Sequence, residues 1–141
     1  AVFTSCKLKV QKSNNSIGDT RTKAIEYLDK DTYKLNNYTN DKTYGYSENN
    51  PVKVGGIKEN EGPTNERRFL NALVGKNGEK VMYVRVGSCC VFDTPNGLME
   101  NKGLLDRYKV FFENRTDTIY LYLNMYDKGD LYVPVGFKAK K

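Results

Sequence analysis

The clearest hydrophobic pattern in the chain lies between residues 118 and 126. Ile119, Leu121, Leu123 and Met125 alternate with Tyr120, Tyr122, Asn124 and Tyr126. A period of two predicts a β-strand with one apolar face and one polar-aromatic face. Because aromatic rings are mostly packed, the tyrosine face is expected to lie under a helix. Residues 80–86 alternate in the same way, and residues 107–113 less regularly. Asp127-Lys128-Gly129-Asp130 then reads as a hairpin turn, with residues 131–137 returning as a strand. Pro134 places that strand at an edge or a bulge. Val52-Lys53-Val54 is a short strand stopped by Gly55-Gly56.

Two stretches carry a helical period instead. Pro63-Thr64-Asn65-Glu66 opens the better one, with Thr64 as N-cap and Glu66 in the first turn. Phe69, Leu70, Leu73 and Val74 form its apolar face, and Gly75 is a natural terminator. Asn77-Gly78 follows as a turn. Over residues 19–35, Ala24, Ile25, Leu28 and Leu35 make an incomplete helical stripe that Asp19 or Thr20 could cap. Residues 36–50 are Asn-rich and read as an irregular loop. The sum is α+β: an antiparallel sheet of four to six strands with one or two helices packed on one face. Residues 1–17 are an extended lead-in, and residues 18–141 form a single domain.

Composition sharpens the picture in three ways. The hydrophobic content leans on 11 tyrosines and 6 phenylalanines, which suits strands. The formal charge is +6, but the lysines are dispersed apart from Lys138, Lys140 and Lys141. No basic helix or nucleic-acid motif is present, so nucleic acid is not an expected partner. There is no histidine, so no Ser-His or Cys-His nucleophile can be built and imidazole zinc ligand sets are excluded. No catalytic residue, cofactor or metal site is assigned at this level.

The three cysteines carry the candidate chemistry. Cys89 and Cys90 are adjacent. They are either free thiols, or one pairs with Cys6, or they bond to each other. Neighbouring Cα atoms stand about 3.8 Å apart across a trans peptide, below the usual disulfide span of roughly 4.4–6.8 Å. A vicinal disulfide must therefore leave regular strand geometry, and Gly87-Ser88 would permit it. That bond, in a tight turn ending the strand at 80–86, is the expectation here. The enzymatic alternative would use Cys89-Cys90 in redox chemistry, or Glu66 with Asp106 in acid–base chemistry. Arg67 and Arg68 beside Glu66 could bind an anion; the plainer reading is a helix surface making ion pairs with groups such as Asp106.

Phe3-Thr4-Ser5-Cys6 looks like the end of a bacterial lipoprotein signal, with Cys6 the residue acylated. The other expectation is that Ala1 is the mature N-terminus of a secreted subunit. A variant has residues 1–10 adding a strand to a neighbour's sheet in an extracellular polymer.

Several blocks resemble a known family: Asn50-Pro51-Val52-Lys53-Val54-Gly55-Gly56, Asn65-Glu66-Arg67-Arg68-Phe69-Leu70-Asn71-Ala72-Leu73, Gly87-Ser88-Cys89-Cys90, Gly103-Leu104-Leu105-Asp106 with Tyr108, Leu121-Tyr122-Leu123-Asn124-Met125-Tyr126-Asp127, and Pro134-Val135-Gly136-Phe137. Through them residues 44–141 resemble small predicted lipoproteins of Bacteroidetes, notably flavobacteria. The resemblance implies an exported protein of the cell envelope, outer membrane or cell surface. The lipobox-like Cys6, the lack of a catalytic pair and the polar, tyrosine-rich surface add the expectation of a non-enzymatic accessory or structural subunit, held by a lipid anchor or by an envelope partner or self-assembly. Members often carry the name 2-dehydro-3-deoxyphosphooctonate aldolase. Enzymes of that name resemble TIM barrels, which need about 200 residues or more; this chain has 141. Asn14, Asn37 and Asn114 head N-glycosylation triplets, and Asp117-Thr118-Ile119 fits a short O-glycosylation pattern of Bacteroidetes secreted proteins.

Overall fold

The structure, a computed structural model, describes residues 17–141. Cys6 and the proposed donor strand at 1–10 lie outside the described residues. Among the described residues the fold is mixed α and β, dominated by strands, with one α-helix.

The central sheet has four strands in the order β3-β7-β6-β5. β5 (Val81–Asp93) and β6 (Lys102–Phe112) form a long antiparallel hairpin, and β7 (Thr118–Asn124) pairs antiparallel with β6. β3 (Val52–Lys53) joins β7 in parallel, so the sheet is mixed rather than wholly antiparallel. α1 (Gly62–Asn71) buries Asn65, Glu66, Phe69 and Leu70, the spacing of one helical face. Phe69 and Leu70 share a core with Tyr108, Val110 and Phe112 of β6, Leu121 and Leu123 of β7, and Val52.

Several sequence expectations are corrected. The stripe at 19–35 is not a helix: β1 (Glu26–Asp29) and β2 (Thr32–Lys34) form an antiparallel hairpin there. Tyr33 and Leu35, two residues apart, are buried, while Leu28 is exposed. The Asp29 carboxylate accepts the Asp31 N–H at 2.8 Å, fixing the turn. Thr64 is not the N-cap. Glu61 occupies that position, Pro63 sits in the first turn, and the Thr64 hydroxyl accepts from Arg67 instead. Leu73 and Val74 leave the helix. They form β4 (Leu73–Gly75), which pairs with β8 (Phe137–Ala139). That pairing claims the backbone of Leu73 before another helical turn can form.

The expected hairpin at 127–130 is absent, and residues 131–136 are not a regular strand. Asp127 is buried and occupied elsewhere. It accepts from Thr94, from Asn96 at 2.9 Å and from Asn124 at 3.0 Å. Lys128 bridges to Val54, and its carbonyl accepts the N–H groups of Thr20 and Arg21. The tyrosine face of β7 also departs from expectation. The helix packs with the Leu121 and Leu123 side, and among the described residues no helix covers Tyr120. Its ring instead lies 4.5 Å from the Arg107 guanidinium. No helix among the described residues is long and apolar enough to cross a membrane.

Candidate functional site

β5 continues past its predicted end at residue 86 because two bulges interrupt its alternation without ending its pairing. They fall between Arg85 and Gly87 and between Cys89 and Val91. Gly87 has φ +135°, and a Cβ there would meet nothing within 4 Å, so backbone conformation, not space, calls for glycine. The first bulge has a chemical consequence. Arg85 lies opposite Tyr108, and after the bulge Ser88 lies opposite Asp106. Arg85 and Ser88 therefore converge on one carboxylate: Arg85 Nη2 donates to Asp106 Oδ1 at 2.9 Å, and Ser88 Oγ donates to the same oxygen at 3.2 Å. Asp106 is buried.

Helix α1 lowers Glu66 onto this group. Glu66 is 0% exposed. Tyr108 donates its hydroxyl to Glu66 Oε1 at 3.1 Å. Oε2 finds no donor among the described residues, the condition of a carboxyl oxygen that itself holds the proton, and Asp106 is the acceptor beside it. Burial, then the hydrogen bond to Asp106 and its charge, push the Glu66 carboxyl up to about 9. Glu66 is thus a neutral acid at physiological pH. Burial and the nearby Glu66 raise the Tyr108 phenol, and burial raises Tyr83. The Asp106 hydrogen bond raises Arg85, keeping its charge secure.

These groups floor a cleft of about 380 Å³ whose walls include Pro63, Met125 and Tyr83, with Arg67 among the lining residues. Tyr83 is held in place by its hydroxyl donating to Asn71 at 2.7 Å. Glu66, Arg67 and Asp106, singled out in the sequence, thus share one cleft. Arg68 does not line it. Arg68 Nε donates to the Lys30 carbonyl at 2.9 Å, Nη1 donates to Asn65 at 2.9 Å and pairs with Glu61 at 3.5 Å, and the guanidinium covers Tyr27. It ties the β1–β2 hairpin to the helix. Tyr83, Arg85, Ser88 and Tyr108 were not found from sequence. Their only signal was i, i+2 spacing, Tyr83 with Arg85 and Asp106 with Tyr108, which puts each pair on one sheet face.

The second bulge belongs to the cysteines. Cys90 has φ +58°, and the Cys89 and Cys90 sulfurs meet at bonding distance. The backbone leaves regular strand geometry at this point, as adjacency demands, but the turn lies within β5 rather than at its end.

No known family model, curated protein or solved structure matches this chain.

Proposed function

We propose that this chain is a non-enzymatic, exported cell-envelope domain that binds a compact organic acid in the cleft between α1 and the β5–β6 hairpin. One observation carries the binding reading: the cleft holds one cation more than its carboxylates neutralise. Arg85 is balanced by Asp106, and Glu66 is neutral. Arg67 is exposed and makes no ion pair among the described residues; its hydrogen bond is to Thr64 at 3.3 Å. Its guanidinium suits a bidentate carboxylate. Pro63, Met125 and the Tyr83 ring would take the apolar body of the ligand. Export is supported by the adjacent cysteines, since disulfides persist in oxidising compartments. A lipid anchor at Cys6, or an envelope partner, would hold the domain at the outer membrane or cell surface.

Titration with a panel of small carboxylates and their neutral amides tests the binding reading. Arg67→Ala is expected to weaken carboxylate binding about tenfold or more, roughly 1.4 kcal/mol. Arg68→Ala is expected to leave the intrinsic affinity unchanged. Amides binding as well as acids, or no carboxylate binding at all, would refute the reading.

A second reading rests on Glu66 keeping its proton beside the buried carboxyl of Asp106, an arrangement that also suits general acid catalysis. Turnover of a glycoside or ester library by the wild type, lost in Glu66→Gln, would replace binding with catalysis.

A further inference from the structure

The expectation that no metal site exists counted histidines and cysteines alone. The fold adds a carboxylate to the cysteine pair. Glu48 comes from the 43–50 loop, 42 positions before Cys90, and places Oε2 at 2.9 Å from Cys90 Sγ. One ligand atom from each of Glu48, Cys89 and Cys90 lies within 4.8 Å of the others. We propose that these three residues bind a soft or borderline divalent cation of the zinc and cadmium class, and that the site opens when the cysteine pair is reduced.

The contact between Glu48 and Cys90 motivates the two states. A disulfide sulfur has no hydrogen to donate, and a carboxylate oxygen has none either. A thiol proton or a shared cation satisfies that contact; a closed disulfide leaves it unsatisfied. The backbone supplies the convergence. In a regular strand Cys89 and Cys90 would point to opposite faces. The bulge and the positive φ of Cys90 turn both sulfurs to one side. Opening the S–S bond therefore leaves two thiols already facing Glu48.

The carboxylate is positioned as firmly. Its loop is closed by Gly45 N–H to Asn50 O at 2.8 Å and by Asn50 N–H to Ser47 O at 3.0 Å. It is pinned to β7 by Tyr122 N–H donating to Gly45 O at 2.8 Å. Glu48 is exposed and both cysteines are partly exposed, so an ion has access from solvent. Ligand atoms around a tetrahedral zinc lie roughly 3.3–3.8 Å apart, from bonds of about 2.0–2.3 Å. The three atoms reach that spacing by side-chain rotation once the sulfurs part. A solvent molecule or small anion would complete the fourth position.

The chemistry balances with a dithiol as reductant. A dithiol gives two electrons and two protons to the Cys89–Cys90 disulfide, producing two thiols and the oxidised, cyclic disulfide of the reductant. The divalent ion then displaces both thiol protons and binds two thiolates and the Glu48 carboxylate. A small-molecule disulfide takes two electrons from the two thiolates and two protons from solvent, leaves as two thiols and restores the Cys89–Cys90 bond; the ion is then released, because a disulfide offers no thiolate.

Cadmium titration of the full chain tests this. One sample is reduced with a dithiol, freed of it by gel filtration under nitrogen, and compared with an oxidised sample. The readout is the ultraviolet cadmium–thiolate charge-transfer band. The reduced chain is expected to bind one ion and the oxidised chain to show no band. Cys90→Ser should abolish the band. Glu48→Gln, at an exposed position that leaves folding intact, should weaken affinity about tenfold or more. Cys6→Ser should change nothing. Equal affinity of Glu48→Gln and wild type, a band surviving Cys90→Ser, or loss of binding in Cys6→Ser would each overturn the site.

Discussion

Replacing Glu66 with glutamine is expected to remove most of the pH dependence of this protein's stability in the neutral range. The folded-state value of Glu66 is about 9, against an ordinary 4.5. Between those values the native carboxyl keeps a proton that the unfolded chain has released. Rising pH therefore favours unfolding, by up to ~1.4 kcal/mol per pH unit for one proton. The contribution is fully present below about pH 4.5 and is lost as pH rises through about 9. Glutamine has no proton to lose, keeps a carbonyl for the Tyr108 hydroxyl, and offers an N–H toward Asp106. Urea denaturation of both proteins from pH 5 to pH 9 should give nearly equal stability at the acid end. At the alkaline end Glu66→Gln should be the more stable by several kcal/mol. Parallel curves would show that Glu66 is not the neutral acid inferred here, and the charge balance of the cleft would have to be redrawn.

The second large effect is expected at Phe69. Its ring is 0% exposed and lies one turn beyond Glu66 on the buried face of α1. Phe69→Ala removes the ring and leaves a cavity between helix and sheet, at a cost of about 3–5 kcal/mol. A domain of this size has about 5–15 kcal/mol in all, so the variant should be marginal or unfolded at 25 °C. Phe69→Leu, which retains much of the volume, should lose clearly less. Chemical denaturation of the three proteins gives the ranking. A loss below about 1.5 kcal/mol for the alanine variant would mean the helix is not held by this contact. Any variant that loosens α1 should also let Glu66 ionise more readily, since burial is the first cause of its raised value.

Local pattern located much of this. The helix at Gly62–Asn71 follows from Pro63 and the apolar pair Phe69 and Leu70, although Leu73 and Val74 of the same expected face belong to β4. The alternation at residues 80–86, 107–113 and 118–126 marked parts of three sheet strands. The same method failed at 19–35, where Ala24, Ile25, Leu28 and Leu35 imitate a helical stripe although Leu28 is exposed and Tyr33, outside that stripe, is buried with Leu35. It failed again at residues 131–136, where Val133 makes an isolated bridge to Tyr38 rather than a regular strand, and Asp127 holds the preceding chain in a different path.

The cleft shows where sequence stops. Glu66 in a first helical turn looks like a surface carboxylate favoured by the helix dipole, and by itself nothing in the chain says otherwise. Its proton is held by burial under the packed helix and then by Asp106, 40 positions away, while the hydrogen bond from Tyr108, 42 positions away, works the other way. Those two residues lie two apart on β6 and meet Glu66 only because α1 packs on the sheet, while the bulge at Gly87 sets the register that brings Arg85 and Ser88 to Asp106. For the cysteines the chain alone determined one thing: adjacent residues cannot bring their sulfurs together within a regular strand, because successive side chains point to opposite faces. That Glu48 would stand beside them was decided by the loop that Gly45 anchors to β7. Periodicity is a local property and is legible in order along the chain. Desolvation, charge and ligand geometry depend on which distant residues are brought within a few ångströms, and only the folded structure specifies that.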